Sequence, residues 1–312
     1  MDARRIGSLE VSVVGLGCNN FGGRLDLAGT KAVVNAALDA RITFLDTADV
    51  YGGTKSEEFL GRILAGRRDR VTIATKFGIA LDEERKGAKP AYVKRACEDS
   101  LRRLKTDRID LYYLHRPDPE TPIADTLGAL DDLVRAGKVR EIGCSLFTAS
   151  QLREARTAAG RGARFAGVQN EYSLLVREPE REVLGECGRS GLAFVPYYPF
   201  ASGLLTGKYR RGQPAPAGTR LATNPGWNER FLTDPNAARA ESLAAFAESR
   251  GHTVLELAFS WLLRHRQVAS VIAGATSPEQ VRANVAAPSW KLTAEDLARV
   301  DAIAPPAQGG AK

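Results

Sequence analysis

Four residues carry side chains that together could move a proton and stabilise a negative charge: Asp46, Tyr51, Lys76 and His115. A phenol with a pKa of about 10 is a poor proton donor to a carbonyl oxygen at neutral pH, but a neighbouring ammonium lowers that pKa. Lys76 is expected to do this to Tyr51, while Asp46 keeps the lysine charged and oriented. His115 would donate a hydrogen bond to an oxygen that gains negative charge. The four side chains therefore predict a centre that protonates a carbonyl oxygen.

These residues can act together only if the fold places them side by side. Eight short runs rich in Val, Ile, Phe and Tyr predict strands, over residues 11–14, 43–46, 71–76, 109–115, 139–145, 167–170, 193–197 and 270–274. Stretches with helical periodicity separate them, over 31–40, 57–64, 92–104, 122–136 and 254–264. Asp46, Lys76 and His115 end the second, third and fourth runs, and Tyr51 follows the second. The alternation predicts parallel strands whose carboxyl ends share one edge.

The number and spacing of the runs favour a closed barrel over an open sheet. Successive centres lie about 25 to 40 residues apart over the first seven runs, the length of one strand–helix unit. An open doubly wound sheet normally carries G-x-G-x-x-G after its first strand. Here Asn20 stands at the place of the third glycine. We therefore predict an α/β fold, a (β/α)8 TIM barrel, as a single domain over residues 1–312, with its site at the carboxyl ends of the strands.

A long interval separates the seventh run from the eighth. It contains a segment rich in Gly and Pro, residues 208–235, and then a further helical pattern over 237–250. A segment of this length without regular structure inside a compact domain is usually functional. We predict that residues 208–235 form a long loop covering the mouth of the barrel.

Composition excludes several other classes of protein. The chain has 312 residues, of which 44% are hydrophobic and 26% charged, as in ordinary globular proteins. Its net charge of +7 comes mostly from scattered arginines, so no nucleic-acid surface is predicted. Four separated cysteines and three histidines without i, i+4 spacing indicate neither a zinc site nor a disulfide framework. Because the first residues contain no long apolar run, we expect a cytoplasmic protein without a membrane segment.

Longer motifs carry a resemblance that covers essentially the whole chain. They lie at residues 44–52 (FLDTADVYG), 75–76 (TK), 114–118 (LHRPD), 137–145 (GKVREIGCS), 168–172 (VQNEY) and 203–208 (GLLTGK). With these motifs the sequence resembles the aldo-keto reductase superfamily, in the branch related to potassium-channel β subunits and bacterial aldo/keto reductases. The resemblance implies a nicotinamide cofactor and a catalytic tetrad of Asp46, Tyr51, Lys76 and His115. It implies that Tyr51 donates the proton when an aldehyde or ketone is reduced to an alcohol.

The resemblance also implies a set of cofactor contacts. Tyr197 would stack on the nicotinamide, and Ser145, Gln169 and Asn170 would hold its carboxamide. The further implied contacts are Asp46, Tyr198, Phe200, Ser202, Gly203, Leu204, Lys208, Arg220, Gly274, Thr276, Gln280 and Asn284. Backbone amides and an ammonium in this set suit a pyrophosphate.

Two departures from the family pattern bear on specificity. Many members place a lysine near Gly274 and an arginine near Gln280 to hold the ribose 2′-phosphate, and this sequence has neither. In the branch that it resembles, an arginine of the long loop holds the 2′-phosphate instead, and Arg220 fits that role. NADP is therefore favoured as cofactor, and NAD stays open. The asparagine that usually follows the serine of the fifth strand is replaced by Leu146, which cannot donate an amide hydrogen bond.

The substrate side of the mouth is predicted to be aromatic. Together with Tyr51 and His115, the loop residues Phe21, Phe147 and Trp227 would line a pocket for a small carbonyl substrate. A second copy of the chain stays open as a partner, giving a homo-oligomer. A second functional hypothesis is an NADP-binding subunit that senses redox state with little turnover, because such a protein would keep the same tetrad.

Overall fold

The structure is a computed structural model that describes residues 1–306, so the last six residues of the predicted domain, 307–312, lie outside the described range. A short antiparallel hairpin of β1 (Ala3–Ile6) and β2 (Leu9–Ser12) precedes the barrel. The barrel strands are β3 (Val14–Gly17), β4 (Phe44–Asp46), β5 (Thr72–Phe77), β6 (Ile109–Leu114), β7 (Val139–Ser145), β8 (Phe165–Glu171), β9 (Ala193–Tyr197) and β10 (Val271–Gly274).

The eight barrel strands form one parallel sheet that curls back on itself. Their spatial order is β10-β3-β4-β5-β6-β7-β8-β9, so the last strand pairs with the first. The remaining seam is bridged just before β10, where Phe194 donates its N–H to Gln267 O (2.7 Å) and accepts from Ala269 N (2.9 Å). The predicted (β/α)8 barrel is confirmed.

Helices alternate with the strands, and most of them cover the outside of the barrel. They are α1 (Leu27–Asp39), α2 (Lys55–Ile63), α3 (Pro90–Leu104), α4 (Ile123–Arg135), α5 (Ala149–Ala159), α6 (Val183–Ser190), α7 (Arg220–Thr223), α8 (Pro225–Phe231), α9 (Asp234–Ser249), α10 (Val254–Leu263), α11 (Pro278–Ala286) and α12 (Ala294–Ile303). Thr148 and Thr253 begin α5 and α10 with capping boxes, which satisfy backbone N–H groups that a helix start leaves free.

The predicted first strand, 11–14, is displaced. Its first residues belong to the hairpin, and the barrel strand is Val14–Gly17. Val11 of the hairpin is buried like the strand that follows, packed with Leu111 and Tyr113 of β6 in the cluster that fills the barrel interior. The hairpin therefore closes the amino-terminal end of the barrel and leaves the opposite end open for a site.

The long segment before α9 contains more structure than its composition indicates. Thr219 and Asn224 accept backbone N–H groups and begin the short helices α7 and α8. Arg24, in the loop after β3, donates to Gly218 O (2.6 Å), and Arg220 donates to Asn20 Oδ1 (2.7 Å). These two hydrogen bonds hold residues 208–235 across the mouth of the barrel, as predicted. We call these residues the lid segment.

Candidate active site

The barrel brings the four predicted catalytic side chains together at the carboxyl ends of β4, β5 and β6. Lys76 Nζ donates to Asp46 Oδ2 (2.6 Å), to Thr47 O (2.8 Å) and to the hydroxyl of Tyr51 (3.4 Å). The side chains of Lys76 and Asp46 are 0% and 2% exposed, so their ion pair is almost fully removed from water. Gln169 Nε2 donates to the second carboxylate oxygen, Asp46 Oδ1 (2.9 Å). Both charges are thus paired and held in one geometry.

The ionisation of this pair is set by opposing effects. Burial disfavours the charge of Lys76, but the attraction and hydrogen bond of Asp46 hold the pKa of the lysine above its ordinary value. The ammonium therefore stays charged through the neutral range. It lies 5.0 Å from the centre of the Tyr51 ring, where its charge acts directly on the phenol.

Burial raises the pKa of Tyr51 overall, although Lys76 lowers it as predicted. The charge of Asp46 adds to the effect of burial, and Lys76 lowers the pKa by less than the two together raise it. The sequence shows that a lysine is available, but it does not show how deeply the Tyr51 phenol is buried. Tyr51 consequently keeps its proton at neutral pH and has it available to donate.

His115 faces the same space as Tyr51, with ring centroids 6.0 Å apart and nearly perpendicular planes. Burial, followed by the charges of Lys76 and Arg116, lowers the pKa of His115 well below its ordinary value. The imidazole is therefore neutral at pH 7 and has one N–H to donate. Its Nδ1 is buried with no hydrogen-bond partner among the described residues. A neutral imidazole in this position can hydrogen-bond a substrate oxygen without competing with Tyr51 as acid.

Hydrogen bonds of buried hydroxyl groups fix the loop that carries Tyr51. Thr47 and Ser56 share a hydrogen bond between their hydroxyls (2.8 Å), and Ser56 donates to Cys18 O (3.1 Å). Gly52 has a φ of +60°, and a Cβ there would lie 2.4 Å from Phe21 O, so only glycine fits. The phenol is thereby held on a rigid turn.

Beneath this loop lies a buried carboxyl group that has no role in the tetrad. Asp49 is 1% exposed, and neither of its oxygens has a hydrogen-bond partner in the described chain. Burial, and then the nearby charge of Glu57, raise the pKa of Asp49 to about 8, against the weaker attraction of Arg103 and Lys76. Glu57 is itself paired with Arg103 (2.6 Å). Asp49 is therefore protonated at neutral pH.

Asp49→Asn is expected to stabilise the protein increasingly as the pH rises from about 4 to about 8. In the folded wild type Asp49 stays protonated up to about pH 8, whereas in the unfolded chain it ionises near 3.8. Unfolding thus releases a proton in this window, and wild-type stability falls by up to about 1.4 kcal/mol per pH unit relative to the variant. Urea unfolding of both proteins at several pH values measures the difference.

Asp118→Asn is the matched control for that experiment. Burial opposes the charge of Asp118, but the hydroxyl of Thr121 and the N–H groups of Ala88 and Glu120 lower its pKa overall. The contribution of the ionised Asp118 to the free energy of unfolding is therefore lost only below about pH 4. A constant difference for Asp49→Asn over pH 4 to 8, like that of the control, would show that Asp49 is ionised in the folded protein.

The tetrad opens onto one large cavity of about 700 Å³. Most of the predicted site residues line it, namely Asp46, Tyr51, His115, Ser145, Gln169, Tyr197, Tyr198, Phe200, Ser202, Gly203, Lys208, Arg220, Gly274, Thr276, Gln280 and Asn284. Lys76 lies directly beneath, bonded to Tyr51. The cavity has the size of sites that hold a cofactor together with a small substrate.

Several predicted contacts lie elsewhere. Phe21 and Phe147 are buried in the hydrophobic core, and Leu204 packs there too, so these three side chains do not line the cavity. Trp227 does not line the cavity; its ring centroid lies 4.6 Å from that of Tyr198, which does. Asn170 donates its amide to Phe147 O (2.9 Å), away from the cavity. Aromatic residues in a loop pattern do not reveal whether they point into a pocket or into the core.

One side of the cavity carries three cations: Arg24, Lys208 and Arg220. Arg24 and Arg220 donate to carbonyl and amide oxygens, and Lys208 Nζ lies 5.4 Å from the centre of the Tyr209 ring. Within residues 1–306 none of the three forms a salt bridge with a carboxylate. Burial, followed by repulsion from Arg24 and Arg220, lowers the pKa of Lys208. Three converging cations without a carboxylate partner are suited to a polyanion. Arg24 was not predicted, because its only signal is its place after the first strand.

The loop after β9 adds polar groups to the cationic side. Ser202 and Gly203 have φ values of +58° and +98°, and the Ser202 hydroxyl is buried without a hydrogen-bond partner in the described chain. A Cβ at Gly203 would lie 3.0 Å from Lys208 Nζ, so glycine leaves the space that the ammonium occupies. An unpartnered hydroxyl beside an uncompensated ammonium fits a phosphate group.

The loop after β10 forms the far end of the cavity. Ser277 begins α11 by accepting the N–H of Gln280, and the Gln280 side chain accepts from Thr276 N (2.8 Å). Asn20 donates to Ala275 O (3.2 Å) and so ties this loop to the loop after β3. Thr276 and Gln280, at the start of α11, line the same cavity as Arg220.

Other kinds of site receive no support from the part of the chain that is described. None of the helices in residues 1–306 combines the length and the apolar character that a membrane span needs. In the same range no three His, Cys, Asp or Glu side chains gather in a way that could hold a metal ion. The four cysteines are buried and free, and burial raises the pKa of Cys18 well above its ordinary value, which opposes reactivity.

The fold is a (β/α)8 barrel whose cavity has a buried Lys76–Asp46 pair bonded to Tyr51 at one end and three cations on one side. Residues 13–305 match the model of the Aldo/keto reductase family; the chain belongs to this family and is an oxidoreductase. It is similar to the aldo-keto reductase AKR11C1 from Bacillus halodurans in its holo form, with a TM-score of 0.82 and 32% sequence identity. That similarity covers 99% of this chain and 98% of that chain. Aldo-keto reductases use nicotinamide cofactors.

Proposed function

We propose that this protein reduces an aldehyde or ketone carbonyl to an alcohol with NADPH as cofactor. The observation that carries the proposal is the hydroxyl of Tyr51, which lines the cavity, keeps its proton and accepts a hydrogen bond from the buried Lys76 ammonium. Among the hydroxyl groups of the described residues that line the cavity, only that of Tyr51 is hydrogen-bonded to a lysine or arginine.

Tyr51 donates its proton to the carbonyl oxygen of the substrate. Lys76 stabilises the phenolate that remains, because its charge is close and screened from water. Asp46 keeps Lys76 charged and in place. His115 donates a hydrogen bond to the same oxygen and so orients the carbonyl toward Tyr51. When bound, the reduced nicotinamide supplies the hydride.

The cavity lining suits such a cofactor at both ends. Ser145, Gln169 and Tyr197 lie beside the tetrad and would hold and stack the nicotinamide. Arg24 and Lys208, with the turn at Ser202, would hold the phosphates. The uncompensated positive charge of this side supports a phosphate-rich ligand.

Direct assay tests the proposed function. A panel of aldehydes and ketones is mixed with NADPH and the purified protein, and oxidation of the cofactor is followed by absorbance. Turnover of part of the panel is expected. Tight NADPH binding without turnover of any compound would contradict a reductase and would support the cofactor-sensing hypothesis.

Arg220→Ala is expected to weaken NADPH binding about 10- to 100-fold and NADH binding less than about threefold. The reason is that Arg220 would pair with the 2′-phosphate, and a hydrogen bond to a charged group contributes about 1.5–3 kcal/mol. Fluorescence titration with each cofactor measures both constants. Arg116→Ala, which removes an exposed arginine outside the cavity lining, is the control for net charge. Equal losses for NADPH and NADH would exclude Arg220 as the 2′-phosphate contact.

A further inference from the structure

Leu146 is an apolar residue placed where folding does not explain it. Apart from Met1, it is the only exposed large hydrophobic residue in the described chain, with 47% of its surface open. Its φ of +63° lies in the left-handed region, which is costly for residues other than glycine, asparagine and aspartate. Leucine thus occupies a strained position and gains little burial there. Leu146 lines the cavity, so the exposed side chain faces the site.

The strand register places Leu146 one level above the reacting groups. Phe77 pairs with Leu114, and Leu114 with Cys144, across β5, β6 and β7. His115 lies one residue beyond this row, whereas Ile79 and Leu146 lie two residues beyond it. Both Ile79 and Leu146 line the cavity. An apolar shelf, defined by these two residues, therefore flanks the space directly above His115.

The position of the shelf is fixed by the backbone. Leu146 donates its N–H to Gln169 O (3.1 Å), and Gln169 in turn bonds Asp46. A substrate whose carbonyl oxygen meets Tyr51 and His115 extends its substituents outward from this level. Those substituents meet the shelf.

The rest of the lining gives no charged partner on this side. Among the described lining residues Asp46 is the only carboxylate, and it is occupied by Lys76 and Gln169. The three cations of the cavity come from the loop after β3 and from the lid segment, not from the ends of β5 and β7. Arg116, at the level of the shelf, is exposed and outside the lining.

We propose that Leu146 is a specificity-determining residue that contacts the substituent of the substrate, and that this substituent is an uncharged alkyl or aryl group. The proposal rests on the proposed reductase function. Burial of each methylene against the shelf favours binding, since apolar surface leaves water on both partners. A charged substituent, such as the carboxylate of a keto acid, would have no partner of opposite charge there.

The test uses linear aldehydes from propanal to heptanal with NADPH. In the wild type kcat/KM is expected to rise about two- to fourfold per methylene. Leu146→Gly and Leu146→Asn both tolerate a positive φ, so they preserve the fold while removing the apolar contact. Their loss of kcat/KM should be largest for heptanal and smallest for propanal, and Leu146→Met should keep the wild-type slope.

Two results would overturn the role of Leu146. One is an unchanged chain-length slope in Leu146→Gly. The other is a drop in NADPH affinity with equal losses for all aldehydes, which would place Leu146 against the cofactor instead.

Binding of linear alcohols to the NADPH-saturated protein, measured by calorimetry, repeats the test without turnover. There affinity should rise with chain length in the wild type and not in Leu146→Gly; equal slopes would refute the shelf. If no aldehyde is reduced but alcohol binding shows the slope, the reductase function fails and the apolar shelf stands.

Discussion

Tyr51→Phe is expected to lower kcat about 10²- to 10⁴-fold while the Kd for NADPH stays within about twofold. The change removes the one hydroxyl that the buried Lys76 ammonium contacts at the cavity and leaves the ring in place. Because the ring packs as before, the loop and the cationic side are unaffected. Single-turnover absorbance measurements give the rate of the chemical step, and fluorescence titration gives the Kd.

Tyr92→Phe is the matched control for this experiment. Its hydroxyl is also buried, but it lies outside the cavity lining and has no hydrogen-bond partner among the described residues. Removing an unpartnered buried hydroxyl is neutral or stabilising, so kcat should not change. If Tyr51→Phe reduced an activated aldehyde at the wild-type rate, Tyr51 would not be the proton donor.

Lys76→Met is expected to lower the free energy of unfolding by about 3–5 kcal/mol at pH 7. The carboxylate of Asp46, 2% exposed, would lose its cation and remain buried. Gln169 would still donate to it but carries no charge. Urea unfolding followed by circular dichroism measures the loss.

Two further variants show whether the loss comes from the buried charge. Lys94→Met breaks the pair of Lys94 with Asp132, whose side chains are 51% and 58% exposed, and should cost less than about 1 kcal/mol. Combining Lys76→Met with Asp46→Asn removes both charges and should restore part of the stability. A cost for Lys76→Met no greater than that of Lys94→Met would mean that Asp46 is accessible to water.

The sequence was most informative where local pattern and topology agree. Each of Asp46, Lys76 and His115 follows an apolar run, and parallel strands necessarily bring such ends together. The barrel and the clustering of the four side chains could therefore be predicted. The first strand was misplaced because Val11 of the hairpin and Val14 of the barrel are both buried, and Ser12 between them is buried as well.

What could not be predicted depends on depth and on contacts that are remote in the chain. The raised pKa of Tyr51 comes from burial, which no residue pattern encodes. Arg24 reaches the cavity only because the lid segment folds back to it, through a hydrogen bond to Gly218 that spans 194 positions. Phe21 and Phe147 differ from pocket aromatics only by the direction in which they pack.

The pairing of β10 with β3 has a consequence for how the protein is made. Val271 to Gly274 lie beside Val14 to Gly17, so one edge of the first barrel strand lacks its neighbour until residue 274 has left the ribosome. Arg4 likewise cannot form its hydrogen bonds to the carbonyl groups of Leu263 and His265 until those residues have been synthesised. Such non-local contacts form slowly, and an exposed strand edge invites pairing with another chain. Closure of the barrel is therefore the step at which a nascent chain is exposed longest to aggregation.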